Sequence, residues 1–132
     1  MVGEGAVRRT SMVLGCHAVE VGRARRAVRN NLRERPARIV DLVEQCVSET
    51  VANAVVHSGS EIIVLVVVEL PGRVRVEVVD GGATVSVPRV AGESGWEAES
   101  GRGLFLVDVL TDAWGTHADQ AGRTVWFEVG TG

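Results

Sequence analysis

The spacing of apolar residues changes along the chain and divides it into predicted helices and strands. Between about Arg38 and Val56, apolar residues recur at steps of three and four positions, which is the spacing of one helix face. This stripe consists of Val40, Val43, Val47, Val51 and Ala54. Residues 17–34 have a sparser apolar pattern among many arginines, which predicts a shorter helix with a solvated basic face. Pro36 is expected to stop that helix before the long one begins.

After the long helix the apolar period changes to two, which is typical of strands. Residues 61–70 and 73–80 are predicted to form two strands joined by a tight turn at Pro71-Gly72. In the second strand valines alternate with charged residues, so one of its faces is apolar and the other is polar. A strand with one wet face is typical of an antiparallel sheet that is covered on one side only.

The order of the predicted elements indicates the fold class. Three further elements follow from shorter patterns: strands at 7–15 and 123–130, and a helix at 103–114. Residues 81–102 are rich in glycine and serine, lack a helical period and are too long for a simple connector. The order β-α-α-β-β-loop-α-β predicts an α+β protein, a two-layer α/β sandwich whose mixed, mostly antiparallel sheet carries helices on one face. All 132 residues are predicted to form one domain, with residues 1–6 disordered.

Composition excludes several classes of function. All 14 basic residues are arginines, so the chain has no lysine for a P-loop, a eukaryotic-type protein kinase or a Schiff base. The net charge is −3, so no chain-wide basic field favours direct nucleic-acid binding. Aromatic residues make up only 4% of the chain and tyrosine is absent, which argues against a surface on which bases stack.

The cysteines and the apolar runs indicate where the protein resides. Cys16 and Cys46 lack the spacing of metal ligands and do not form a disulfide framework. The valine-rich run at 62–68 is too short to cross a bilayer as a helix. No segment joins a basic start to a long apolar core in the manner of a signal peptide. We therefore expect a cytoplasmic protein without membrane contact.

The long predicted helix carries a polar row beside its apolar stripe. Glu49, Asn53 and His57 lie four residues apart, so they form one line on the helix surface. Asn53 projects between apolar positions, and a buried amide without a partner costs about 1–3 kcal/mol. Neighbouring backbone groups could satisfy it, or it could face a ligand. An amide oxygen suits Mg²⁺, a nearby carboxylate suits a general base, and His57 could contact phosphate or cap the helix.

Two glycine-containing stretches follow this row. In VVDGG, Asp80 ends a strand and could accept a hydrogen bond from an exocyclic amine, while Gly82 would let a flat ring approach the backbone. In SGRGLFLV, Gly101 and Gly103 precede a predicted helix whose free N–H groups could bind phosphate. Each stretch taken alone is equally compatible with an ordinary turn or loop.

Together, the three motifs resemble the GHKL ATPase superfamily, which includes gyrase, a heat-shock chaperone, histidine kinases and the mismatch-repair ATPase. ETVANAVVHSG is similar to the N box of that superfamily, VVDGG to its first glycine box and GRGLFLV to its second. The ending GRTVWFEV resembles the branch of anti-sigma-factor serine kinases. The resemblance covers residues 17 to 129 and implies a Bergerat ATP-binding fold.

The resemblance also implies roles for individual residues, with ATP and Mg²⁺ as cofactors. Glu49 would be the catalytic base, Asn53 would hold Mg²⁺, and Asp80 would bind the adenine amine with support from Gly82. Residues 83–100 would form a lid over the nucleotide. The remaining nucleotide-binding positions would be His57, Gly101, Arg102, Gly103, Leu104 and Thr124.

The function implied by the resemblance is that of a serine/threonine kinase. It would transfer the γ-phosphoryl group of ATP to a serine of an anti-sigma-factor antagonist and would also sequester a sigma factor. The alternatives are a nucleotide-dependent protein-binding switch without phosphotransfer, and a fold whose pocket is empty. Thr84 stands where the first glycine box has its second glycine, and the short lid lacks a threonine-rich segment, which favours the switch. The first strand and the arginine-rich helix are candidate homodimer surfaces.

Overall fold

The computed structural model describes residues 7–57, 59–81, 104–120 and 122–131. Within these ranges the chain forms five strands and three helices. In chain order they are β1 (Arg8–Gly15), α1 (Glu20–Asn31), α2 (Ala37–His57), β2 (Ile62–Leu70), β3 (Arg73–Asp80), α3 (104–110), β4 (Ala113–Asp119) and β5 (Gly122–Gly130).

The five strands form one sheet in the order β1-β2-β3-β5-β4. All four pairings between the described strands are antiparallel, so the mixed sheet that we predicted is antiparallel here. β2 and β3 are joined through Pro71 and Gly72 as predicted, and Gly72 has a φ of +74°, a conformation that glycine adopts at little cost.

The helices cover one face of the sheet, which confirms the two-layer α+β fold. Val74, Val76 and Val78 of β3 are buried on that face, and they pack in one core with the apolar stripe of α2. Phe127 of β5 lies in the same core. On α2 the buried apolar residues are Ile39, Val40, Val43, Cys46, Val47, Val51 and Ala54. None of the described helices combines the length and the apolar character needed to cross a bilayer.

The first helix is shorter than predicted. The helix expected over 17–34 spans Glu20–Asn31, so it ends well before Pro36. Pro36 instead marks the start of α2, because its carbonyl oxygen accepts hydrogen bonds from the N–H groups of Ile39 at 2.9 Å and Val40 at 3.1 Å. A proline suits this place, since a helix start needs no N–H donor from it.

The basic face of α1 is paired with carboxylates rather than only solvated. Arg29 contacts Asp41 at 2.8 Å and also Glu44, and Arg25 contacts Glu44 at 3.5 Å. Both arginine side chains remain about half exposed, so solvent screens these pairs and each contributes little to stability. The pairs nevertheless align α1 with α2 on the sheet.

The strand β4 was not predicted. We expected a helix over 103–114, but the helix ends near Thr111, whose N–H donates to the Val107 carbonyl at 3.0 Å. The next N–H group, that of Asp112, donates to the backbone carbonyl oxygen of Glu128 on the adjacent strand at 2.9 Å. Trp114 follows the preceding apolar residues at helical spacing, yet it packs against the core from a strand. Tertiary packing therefore overrides the local period.

The two phenylalanines of the chain offer a matched test of the core. Phe127 is 0% exposed and Phe105 is 63% exposed. We expect Phe127→Ala to lower the free energy of unfolding by roughly 3–5 kcal/mol, because it removes a buried ring and leaves a cavity. Phe105→Ala should change it by no more than about 0.5 kcal/mol. Urea unfolding of both variants measures this, and equal losses would contradict the assigned core.

Candidate functional site

The polar row of α2 is half-buried at the margin of the helix's apolar stripe. Glu49 and Asn53 are both partly covered, and His57 is the last residue of the helix. The Asn53 Nδ2 atom is buried, and no described residue accepts a hydrogen bond from it. Among the described residues, backbone groups therefore do not satisfy this donor, which was one of the two explanations that the sequence left open. A bound ligand with an acceptor would remove the cost of an unpaired amide.

The nearby hydroxyl of Thr50 on α2, by contrast, has hydrogen-bond partners. Thr50 is buried, and its Oγ1 donates to the carbonyl oxygens of Cys46 at 2.9 Å and Val47 at 3.2 Å. Such bonds to the preceding turn are the usual way for a helical threonine to satisfy its hydroxyl. Asn53 differs from Thr50 in having a buried donor without a described partner.

The negative charge of Glu49 affects the pKa of the buried Cys46 thiol. Burial, reinforced by the negative charge of Glu49, raises the pKa of the Cys46 thiol to about 12. Glu49 is half-buried and lies one turn before Asn53 at the margin of the buried stripe. A carboxylate that is half-buried and close to an unsatisfied amide can accept a proton from a group bound beside both of them.

Asp80 ends β3 on the same side of the sheet. The residue is only 3% exposed, and Arg123 Nη2 lies 3.5 Å from its Oδ2. Antiparallel register sets Asp80 between Ile63 of β2 and Arg123 of β5. A buried charge needs such a partner, because removing an unpaired carboxylate from water is very costly.

Contacts at the end of β3 fix the position of Asp80. The Gly81 N–H donates to Ser60 Oγ at 3.3 Å, and that hydroxyl donates to the Ile62 carbonyl at 2.8 Å. Gly122 has a φ of +144°, and a Cβ at this position would lie 2.1 Å from the Asp80 carbonyl oxygen. Only glycine allows β5 to start so close to β3. The end of β3 is thereby held beside the segment that follows α2.

The comparisons identify the family. Residues 17–129, most of the chain, match the histidine kinase-like ATPase domain. The chain belongs to this family. The resemblance to GHKL ATPases is therefore confirmed, and an ATP-binding regulatory function with a kinase-like ATPase fold follows from it.

A solved structure shows the same fold. The histidine kinase domain from Erythrobacter litoralis EL346 blue-light activated histidine kinase aligns with this ATPase domain at a TM-score of 0.55 and 19% sequence identity. The alignment covers 89% of this chain and 61% of that chain. At such identity the likeness is one of fold alone. No curated protein was found to match.

The register shows on which face of β5 Thr124 lies, while the role that the resemblance implied for it stays a prediction. Thr124 pairs with Val79, and successive side chains of a strand point to opposite faces. Its side chain therefore lies on the face away from the helices, and Arg123 occupies the place beside Asp80. The alternation in β5 contains this signal, because Val125, Phe127 and Val129 are buried and Arg123 is in phase with them.

Most of the other predicted nucleotide-binding positions lie outside the part of this ATPase domain that the structure describes. Gly82, Gly101, Arg102 and Gly103 lie outside the described residues, as does the expected lid over 83–100. Leu104 is the first described residue of α3 and is buried. Its apolar side chain thus belongs to the packing of α3.

Magnesium binding in this family is tied to the nucleotide. Within it, no group of three or more histidine, cysteine, aspartate or glutamate side chains could enclose a metal. GHKL ATPase domains bind ATP, generally with Mg²⁺. Mg²⁺ usually takes one or two protein oxygens and completes its shell with phosphate and water. The side-chain oxygen of Asn53 is a ligand of that kind, and its unsatisfied Nδ2 donor suits an acceptor such as a phosphate oxygen.

The raised pKa of Cys46 predicts a thiol that is protected while the protein is folded. Its pKa of about 12 exceeds the ordinary value of 9.0, so almost no thiolate forms at pH 8. We expect iodoacetamide to leave Cys46 unlabelled at pH 8 until urea unfolds the chain, with peptide mass spectrometry as the readout. Half-buried Cys16 serves as the internal comparison.

The same shift makes stability depend on pH. Because the folded pKa is above the unfolded one, the stabilising contribution is complete below about pH 9 and is lost as pH rises toward about 12. Labelling of Cys46 in the folded protein at the rate of a free thiol would contradict its burial and its raised pKa.

Proposed function

We propose that this ATPase domain is a cytoplasmic protein serine/threonine kinase of the anti-sigma-factor type. It would move the γ-phosphoryl group of ATP to a serine of an anti-sigma-factor antagonist and would also bind a sigma factor, with a homodimer as a further partner state. The observation that carries the proposal is the buried Asn53 amide without a described partner, one turn from half-buried Glu49. The GRTVWFEV ending favours this branch over other ATPases of the family.

The two ends of the site suit the two ends of ATP. At one end Asp80, held in place by its neighbours, would accept a hydrogen bond from the exocyclic amine of adenine. Toward the other end the side-chain oxygen of Asn53 would hold Mg²⁺, which when bound neutralises charge on the phosphates. α2 packs against the strand that ends at Asp80, so one rigid contact sets the distance between these groups.

Glu49 would act in the transfer itself. Its carboxylate would accept the proton of the acceptor serine hydroxyl while the serine oxygen bonds to the γ-phosphorus. The bond from that phosphorus to the bridging oxygen then breaks, and ADP leaves with the electron pair. Positioning and charge stabilisation supply most of the rate in such reactions, so Glu49 has to be held firmly. Its place on the helix that also carries the core stripe provides this.

The second candidate is a nucleotide-dependent binding switch without phosphotransfer. Thr84, in place of the second glycine of the box, and the short lid sequence favour it. In that case ATP would change the affinity for a partner protein, and Glu49 would have no chemical role.

Binding of Mg-ATP is the first test. At a concentration one hundred times its Kd, Mg-ATP should raise the free energy of unfolding by about 2.7 kcal/mol. Asn53→Ala should remove the magnesium-dependent part of this stabilisation. Gln45→Ala, which removes an exposed amide from the same helix, is the control and should retain it. Thermal and urea unfolding with ATP, ADP and EDTA measure the effect, and an unchanged curve for wild type would reject nucleotide binding.

Phosphoryl transfer is the second test. Glu49→Gln should lower the transfer rate by about 10²- to 10⁴-fold while ATP affinity changes little, because a general base acts in the reaction rather than in binding. Transfer is measured with γ-³²P-ATP and a panel of purified anti-sigma-factor antagonists. If wild type labels none of them while ATP still changes their affinity, the binding switch is the better description.

A further inference from the structure

Arg123 stands where the register of the sheet brings a donor beside Asp80. The two residues are direct partners in the pairing of β3 with β5 and lie on the helix-covered face. Their side chains are 16% and 4% exposed, with Arg123 Nη2 3.5 Å from Asp80 Oδ2. Arg123 also pairs with Ala118 of β4, so strands on both sides hold its backbone. The largely buried guanidinium of Arg123 and carboxylate of Asp80 therefore lie side by side in the proposed base pocket.

Asp80 and Arg123 together present both acceptors and donors of hydrogen bonds at one place. A guanidinium has five N–H donors, and a carboxylate has about four acceptor positions. Arginine is also the cation best suited to recognising planar groups, because its donors form a rigid fork. An acceptor and a donor side by side can thus contact neighbouring atoms on the edge of one base.

The edge of adenine matches such a pair. Its N6 amine donates a hydrogen bond, and the adjacent ring atom N1 accepts one. A 6-oxopurine has the reverse order, with an acceptor at position 6 and a donor at N1. With Asp80 at position 6, a 6-oxopurine would set two acceptors against each other and two donors against each other. Specificity built from such repulsion is stronger than specificity built from attraction alone.

We propose that Arg123 is a base-specificity residue that donates a hydrogen bond to N1 of adenine while Asp80 accepts one from N6. This inference rests on the proposed binding of ATP and adds a direct protein contact to a second atom of the base. Gly122 supports it, since the close approach of β5 to the Asp80 backbone keeps the two side chains level with each other.

The wild-type protein alone provides the first readout. Calorimetric titration would compare Mg-ATP with Mg-1-deaza-ATP, in which a C–H group replaces N1, and with Mg-ITP, which carries a 6-oxo group. Loss of a hydrogen bond from a charged donor predicts that 1-deaza-ATP binds about 10- to 100-fold more weakly than ATP. ITP should bind more weakly still, because both contacts become unfavourable. Equal affinities for ATP and 1-deaza-ATP would overturn the inference while leaving ATP binding intact.

A variant of Arg123 distinguishes direct contact with the base from a role in positioning Asp80. Arg123→Met keeps much of the side-chain length and removes the donors, so the affinity ratio between ATP and 1-deaza-ATP should fall to about one. Arg9→Met, on an exposed residue of edge strand β1, is the matched control and should keep the wild-type ratio.

The remaining outcomes are also decisive. If Arg123→Met weakens both nucleotides equally and the ratio is unchanged, Arg123 only positions Asp80 and the inference is wrong. If the variant does not fold, the wild-type ratio still decides. If wild type binds none of the three nucleotides, the proposed function fails and this inference fails with it.

Discussion

The pairing of β3 with β5 is the constraint on which both the core and the candidate site depend. β5 is the last strand in the sequence, yet it lies inside the sheet between β3 and β4. The register that sets Val76 opposite Phe127 in the core also sets Asp80 opposite Arg123 at the end of the same ladder. Because side chains alternate along a strand, a slip of one residue would turn Phe127 outward and exchange Arg123 for Thr124. Burial of the core therefore fixes the chemistry at the end of the strands.

The helix α2 is under a second constraint, since it packs against the sheet and also carries the side chains of the candidate binding site. Its buried stripe holds it against the sheet, while Asn53 and Glu49 sit at the margin of that stripe, half covered. Fully exposed, these groups would be screened by water; fully buried, they would have to find protein partners. The Asn53 donor without a described partner costs stability in the ligand-free protein. Stability given up at a site in this way is characteristic of residues kept for binding.

Long periodic segments made most of the fold predictable, and weakly patterned ones did not. The 21-residue helix α2 and the β2–β3 hairpin follow from periods of 3.6 and 2, and the structure contains both. None of the seven residues of β4 is fully buried, and Trp114 continues a helical spacing, so the local pattern favoured the wrong element. On α2 and β3, Asn53, Glu49 and Asp80 were predicted together by the resemblance and are placed on neighbouring elements. The predictions for Gly82, Gly101, Arg102 and Gly103 remain predictions.

The position of Thr124 on β5 shows what the matching of motifs leaves out. A motif compares residue types at positions along the chain, whereas a binding site in a sheet is defined by which face each side chain points to. The buried valines and Phe127 of β5 fix that face, and they put Arg123 in phase with Asp80. The backbone at this point is held by Gly122 and by the hydrogen bond from Gly81 to Ser60, neither of which involves the Arg123 side chain. The register of the core therefore sets where position 123 lies, and the buried Asp80 carboxylate sets the need for a cationic side chain there.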